Sequence, residues 1–377
     1  MRIVVLVRIL WTGGAQKIAI KEAQNLQKFG HSVRLVFLRE TESGKLLRDS
    51  LKNVNWEIYS KSGGQNSLYS FITAHFSPDR KGEGTVDYDL ITNFAKSFSR
   101  DDADYVICHD QFAGIAGYKI KKRLGIPYSV FMHERVNGYP SYPVFGKLAR
   151  YLERKVLSHA DAVFSVTKRV AESVEKIYSI SSIPNMPGID VGSCMQYESR
   201  KNILLSVSVW DTDRDPQVYL PIISKLGNFK LIVAGRWRDE GLRKQFIEKL
   251  GELKIGSSVN LIEGFTENQL VSLYSESKFS LRYGIDELGP GMSNLESLSQ
   301  CTPVIVNGEL GFADFVLSDN VGYVSKIWNP DDICGFIIEY DNHAKYSELQ
   351  RNIKKAVSSH SWGSHTEILL EPVIGNK

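Results

Sequence analysis

Short apolar runs rich in β-branched residues recur along the chain, and stretches with helical spacing separate them. The first half contains RIVVLV, SVRLVFL, WEIYS, DYVICH, PYSVFM and DAVFSVT; the second contains NILLSVSV, KLIVAG, VNLIEGF, FSLRY, TPVIVN and GYVS. These runs are continuous rather than alternating, which suits parallel strands covered on both faces. Amphipathic helices fill the gaps. One is predicted over residues 15–29, with Ile18, Ala19, Ala23 and Leu26 on one face. The segment TENQ, Thr266 to Gln269, reads as a capping box that opens another. Strand–helix alternation in two series predicts two doubly wound α/β sheets.

A chain of 377 residues exceeds one ordinary core, in keeping with two domains. The boundary is placed at SIPNMPGIDVGS, residues 182–193, where Pro, Gly and Ser separate the two series. This gives a first domain over residues 1–187 and a second over 188–360. Residues 63–87 are polar and glycine-rich and read as a surface excursion. The opening MRIVVLVRIL reads as a buried strand, because Arg8 interrupts it and no small-residue cleavage site follows.

Composition is ordinary for a globular protein, with 42% apolar and 24% charged residues. A net charge of +3 gives no argument for nucleic acid. The four cysteines lie far apart without a C-x-x-C, so neither a disulfide framework nor a zinc site is expected, and a reducing cytoplasm fits. No apolar run reaches the ~18 residues that span a bilayer.

Candidate chemistry gathers at strand ends. After the first strand, Gly13 and Gly14 let backbone approach a ligand, and the helix start that follows favours an anion. The motif is neither G-x-G-x-x-G nor a P-loop, which removes the main support for dinucleotide binding or ATP hydrolysis. The alternative is a plain strand-to-helix turn. In RYGIDELGPGMSNLESLSQCTPVIV, Gly291 again meets a helix start, so the amides of Met292, Ser293 and Asn294 are candidate phosphate donors. Glu287 and Glu296 flank that point, and ionised carboxylates accept bonds from sugar hydroxyls. Glu296 has a structural rival role, because Ser293 to Glu296 also fits a capping box.

His109 with Asp110, and His133 with Glu134, end two first-half strands. Ligands bind at such ends, although a histidine can also simply cap a strand, and for His109 the cap is favoured. Arg214 and Arg236 follow second-half strands and are candidate diphosphate cations or solvated surface arginines. Residues 144–157 place Phe145, Leu148, Tyr151, Leu152 and Val156 on one face, with Lys147, Arg150, Arg154 and Lys155 largely opposite. With Lys119, Lys121, Lys122 and Arg123 they form a candidate basic surface for anionic lipid, against the alternative of a solvated helix face.

Taken together, these segments resemble the GT-B glycosyltransferases, in particular glycosyltransferase family 4. The resemblance is carried by the order and spacing of GGAQKIAIKEAQNLQKFGHSVRLV, GIPYSVFMHE, LERKVLSHADAVFSVTKRV, SIPNMPGID, LIEGFTENQLVSLYSES, GPGMSNLESLSQCTPVIV and SHSWGS. It covers nearly the whole chain.

The resemblance implies two Rossmann-like domains facing across a cleft, with residues 361–377 crossing back to the first. It implies a nucleotide diphosphate sugar as donor and transfer with retention at the anomeric carbon. In that family two glutamates bracket the glycine loop with seven residues between them. Here Glu296 matches the ribose-binding one and Glu287 the sugar-binding one, with eight residues between them. His133 matches the histidine at the donor sugar, and Gly14 the phosphate-facing glycine. The family's phosphate arginine is Val209 or Trp210 here; Arg214 stands in for its lysine, with Arg236 or Arg282 as replacements for the missing cation. A glycine before the xPV run is Cys301, expected as a packing change.

The expected function is thus a retaining glycosyltransferase in the cytoplasm. Its acceptor would be a glycan or lipid-linked molecule, with peripheral membrane contact through the basic surface. No tightly bound cofactor and no protein metal site are expected; loosely held Mg²⁺ is compatible. Alternatives are a weakly active or inactive nucleotide-sugar-binding protein and a sugar-nucleotide epimerase or hydrolase. An NAD-dependent dehydrogenase is disfavoured because the fingerprint is absent.

Overall fold

The computed structural model describes residues 1–60, 86–134 and 143–374. The chain divides into two compact units, Met1–Pro187 with Trp362–Lys377, and Gly188–Ser361. The first contains a parallel sheet of seven strands: β1 (Arg2–Leu10), β2 (Ser32–Glu40), β3 (Trp56–Ile58), β4 (Tyr105–His109), β5 (Tyr128–Met132), β6 (Ala162–Ser165) and β7 (Ile183–Pro184). Their order is β3-β2-β1-β4-β5-β6-β7. β4 and β5 are buried at every residue, as continuous apolar strands between two helical layers should be.

Two helices of this unit matter for the site. α1 (Gly14–Lys28) starts one residue before its predicted onset, with Gly13 in extended conformation as its N-cap. Its Ala19, Ala23 and Leu26 pack with Val5, Leu35 and Leu370. Leu370 belongs to the terminal helix Trp362–Ile374, which is therefore part of the first unit's core. Between β4 and β5 lies α2 (Ala113–Leu124), closed by Gly125 in the left-handed region.

The excursion at residues 63–85 lies outside the described residues. The helix predicted over 144–157 spans Pro143–Ser158; the side chains of Phe145, Lys147 and Leu148 lie outside the described residues. Tyr151, expected on its apolar face, is 62% exposed, whereas Val156, Leu157 and Glu153 are buried. The burying stripe is thus rotated toward Glu153, whose carboxylate accepts the Tyr178 hydroxyl. Of the basic residues, Lys121 pairs with Asp161 at 2.8 Å, while Lys119, Lys122 and Arg154 remain exposed.

The second unit repeats the plan with β8 (Lys201–Trp210), β9 (Lys230–Trp237), β10 (Val259–Ile262), β11 (Ser277–Arg282), β12 (Val304–Asn307) and β13 (Gly322–Ser325), all parallel, in the order β10-β9-β8-β11-β12-β13. One face packs Leu204, Phe246, Phe279 and Ile305, the other Leu205, Val207, Ala234 and Leu270. α3 (Glu267–Glu276) opens with the predicted capping box, Thr266 and Gln269 exchanging both bonds. α4 (Met292–Ser299) follows β11, and the terminal helix is labelled α5 (Trp362–Ile374).

The cysteines depart from expectation. Cys194 and Cys301, 107 residues apart, form a disulfide with 5.2 Å between their α-carbons. Spacing hid this because the chain's return brings them together: Gly192 N donates to Ser299 O and Ser193 Oγ to Gln300 Oε1, setting the segment after the boundary against the end of α4. Cys301 is thus a cross-link, and it adopts the left-handed φ of +54° where glycine fits most easily. The pairing removes the support that cysteine usage gave to a reducing compartment. No helix among the described residues is long and apolar enough to cross a membrane.

Candidate functional site

In the second unit the site assembles at the carboxyl ends of β8 and β11. Gly291 caps α4 at φ +65°, a left-handed conformation open to glycine at little cost. A carbon built on it would lie 3.1 Å from Asn294 Nδ2, so a larger residue would crowd that side chain, with Arg282 Nε in ordinary contact at 3.8 Å. Asn294 N donates to Gly291 O and its side chain to Pro290 O, so this amide is already used. The amides of Met292 and Ser293 donate to no described residue and remain the anion donors at this helix start. Ser293 lies inside the first turn and makes no cap bond, so the capping box with Glu296 does not form. Glu296 instead accepts from the buried Tyr274 hydroxyl at 3.3 Å. That carboxylate, after burial, helps push the Tyr274 phenol well above its usual range.

Glu287 sits at the other end of the loop. Arg282 Nη2 donates to both of its oxygens, at 2.7 and 2.5 Å, and Arg214 Nε approaches at 3.5 Å. Arg282 is only 5% exposed and also donates from Nη1 to Ser208 Oγ at 2.5 Å. Burial opposes ionisation of Glu287, but the two arginines overcome it and hold the carboxyl below its usual range. Arg282 Nε and Asn294 Oδ1 are buried and find no partner among the described residues. Gly311 fixes the loop: its N–H donates to Glu287 O, and a carbon built on it would collide with Leu288 O at 1.7 Å.

Arg214 and Arg282 thus belong to one cluster with Glu287. Arg236 does not: it is exposed beside Val209 and makes no ion pair or hydrogen bond with a described residue. Arg238, which the sequence did not single out, pairs with Asp211 at 3.1 Å, and Asp211 also faces Arg214 at 3.7 Å. Beneath α4, buried Arg200 donates to the carbonyls of Met195, Ser277, Gln300 and Cys301 and to Thr302 Oγ1, meeting the negative end of the helix with a cation.

In the first unit, α1 begins beside the end of β1, and His109 and His133 stand at the ends of the adjacent β4 and β5. A carbon built on Gly13 would lie 2.5 Å from Gln16 Oε1 and 2.9 Å from Trp11 Nε1, so this turn has no room for a side chain. Asp110 is structural: it accepts from the amides of Phe112 and Ala113 and from Arg8 Nε, opening α2. His109 is not a strand cap. Its Nε2 meets Glu22 Oε2 at 2.8 Å and its Nδ1 meets His133 Nε2 at 2.8 Å. His365 of α5 meets the other oxygen of Glu22 at 2.8 Å. Glu22 is completely buried; burial opposes its charge, but His109 and then His365 hold it well below the usual carboxylate range. Burial is the main cause that lowers His133 to about 3. A signal for Glu22 existed: it lies four residues from both Ile18 and Leu26, inside the apolar stripe of α1.

Residues 13–182 match the Glycosyl transferase 4-like domain, and residues 196–358 match Glycosyl transferases group 1. The chain belongs to the glycosyltransferases of GT-B fold. An uncharacterized glycosyltransferase of Methanocaldococcus jannaschii is 22% identical over 318 residues, covering 83% of this chain and 87% of its own. Among solved structures, Anabaena HepE in complex with UDP and glucose superposes at a TM-score of 0.75 with 12% identity, over 100% of both chains. A glycosyltransferase from Rickettsia africae superposes at 0.74 with 15% identity, over 100% of this chain and 99% of its own. Likeness of this degree establishes the fold. Among the described residues of this glycosyltransferase, no group of His, Cys, Asp or Glu is arranged to hold a metal ion.

Proposed function

We propose that this glycosyltransferase binds a nucleotide diphosphate sugar on its second unit and transfers the sugar with retention at the anomeric carbon. The observation that carries the donor assignment is the start of α4: the amides of Met292 and Ser293 donate to no described residue, Arg282 packs near Gly291, and Glu287 joins Arg282 to Arg214. The diphosphate sits at the amides of Met292 and Ser293, where the helix end and the arginines favour negative charge as the leaving group departs. Glu296 takes the ribose hydroxyls and Glu287 the sugar hydroxyls. His133, on the first unit, accepts from a substrate hydroxyl.

In the reaction the bond from the sugar's anomeric carbon to the diphosphate oxygen breaks and a bond to the acceptor hydroxyl oxygen forms. The hydroxyl proton leaves with the nucleoside diphosphate. Retention rests on the family resemblance, and no side chain is assigned as nucleophile. Residues 1–187 serve the acceptor, which is a glycan or a lipid-linked molecule, and residues 188–360 the donor. The Anabaena structure with UDP and glucose supports a UDP-sugar as the first donor to try. One observation favours a weaker, binding-only role: both arginines are already engaged by Glu287, so less positive charge is left for a diphosphate.

The deciding experiment is proton NMR of the glycosylated product made from an α-linked donor. An α product supports retention, a β product overturns it, and donor binding with no product supports the binding-only role. Glu296→Gln then checks the ribose contact. Because no capping box exists to lose, stability should hold while donor affinity falls by roughly 1–2 kcal/mol.

A further inference from the structure

Glu22, His109 and His133 form a chain of hydrogen bonds through the interior of the first unit, with His365 on the far side of Glu22. Proton positions follow from counting donors and acceptors. Glu22 is ionised and only accepts, so His109 Nε2 and His365 Nε2 both donate to it. His365 Nδ1 faces the Met186 carbonyl at 2.9 Å, so this nitrogen donates as well. His365 therefore supplies one positive charge to the single negative charge of Glu22. A second buried cation at His109 would have no counter-charge and is disfavoured. With its one proton on Nε2, His109 offers a lone pair at Nδ1, and the bond to His133 is donated by His133 Nε2. The remaining nitrogen, His133 Nδ1, is buried and has no partner among the described residues.

We propose that Glu22 and His109 are positioning residues that lock His133 as the Nε2–H tautomer and so present an unprotonated Nδ1 to a substrate hydroxyl. Rotation of His133 is opposed by the Phe131 ring, 5.1 Å away between centroids, and by the bond to His109, which a turned ring would lose. A locked acceptor selects for a hydroxyl donor and rejects a carbonyl or ether oxygen at the same place, because two lone pairs would then face each other. The hydroxyl as ligand rests on the transferase reading; the tautomer does not.

The test is long-range ¹H–¹⁵N correlation on the full chain labelled at histidine, at neutral pH, with His133→Gln used to assign the signals. The expected spectrum shows His133 protonated on Nε2 alone. Protonation on Nδ1, or averaging between tautomers, overturns the proposal. His109→Phe removes the acceptor that faces His133 Nε2. It should convert His133 to a mixture of tautomers and lower kcat/KM for UDP-glucose, GDP-glucose or ADP-glucose, whichever turns over, by roughly 10²-fold. An unchanged kcat/KM with mixed tautomers overturns the positioning role. A locked tautomer in a chain that turns over none of the three sugars counts against the transferase reading alone.

Discussion

Glu287 is gripped by Arg282, whose Nη2 reaches both carboxylate oxygens at 2.7 and 2.5 Å from a nearly buried position at the end of β11. Glu287 lies five residues downstream of the arginine, so the pair closes the start of the loop that leads to α4.

Removing one partner leaves the other buried and unpaired. Glu287→Ala should therefore destabilise the protein by about 3–5 kcal/mol in urea unfolding, while Arg282→Met with Glu287→Leu should restore most of the loss. A double variant no more stable than the single one would show that the pair is not the source of the effect. The pH dependence has a definite sign. A carboxyl held below its unfolded value contributes stability above about pH 4.5, and that contribution is lost as pH falls through the folded value.

His133 titrates with the same direction of effect but in a different window. Its pKa drops from 6.5 to about 3 on folding, chiefly through burial. Below pH 6.5 the unfolded chain binds a proton that the folded chain refuses, so stability falls as pH drops toward 3. The ceiling is about 1.4 kcal/mol per pH unit, and the ring's residual exposure keeps the slope below it. Unfolding free energies at pH 7 and pH 5 should differ, and His133→Gln should flatten the difference. An equal slope in the variant would place the titration elsewhere.

Cys194 and Cys301 are joined, whereas Cys108 and Cys334 are free and buried. Thiol titration in denaturant without reductant should find two thiols per chain rather than four. Reduction should then lower stability by about 2–5 kcal/mol, the usual range for losing a native cross-link. Four thiols in protein purified under oxidising conditions would contradict the pairing.

The fold was legible where burial dictates residue type over a run. DYVICH and PYSVFM became β4 and β5 because strands covered on both faces strongly favour apolar residues. TENQ was legible because a capping box is local. β7 was not, since two residues, Ile183 and Pro184, carry no periodicity. The site was legible only in part. Gly291, Glu287 and Arg214 lie in short motifs, but the Glu22–His109 bond joins residues 87 apart in sequence and the Cys194–Cys301 bond joins residues 107 apart. Long-range pairing leaves no sign of its partner, so the place of Glu22 in the apolar stripe of α1 marks it as buried without showing what it meets. Ser293 and Glu296 show the converse: the capping motif is present in sequence, but Gly291 starts the helix first.

The most direct measurement is thermal unfolding of the full chain across a panel of UDP-, GDP- and ADP-sugars, repeated with Gly291→Val. If a diphosphate is held by the amides of Met292 and Ser293, at least one nucleotide sugar raises the melting temperature of the native chain. The variant, whose added side chain crowds Asn294 and is strained at this positive φ, loses that shift. No shift with any member of the panel, or a shift that survives in Gly291→Val, would contradict a donor site at the start of α4.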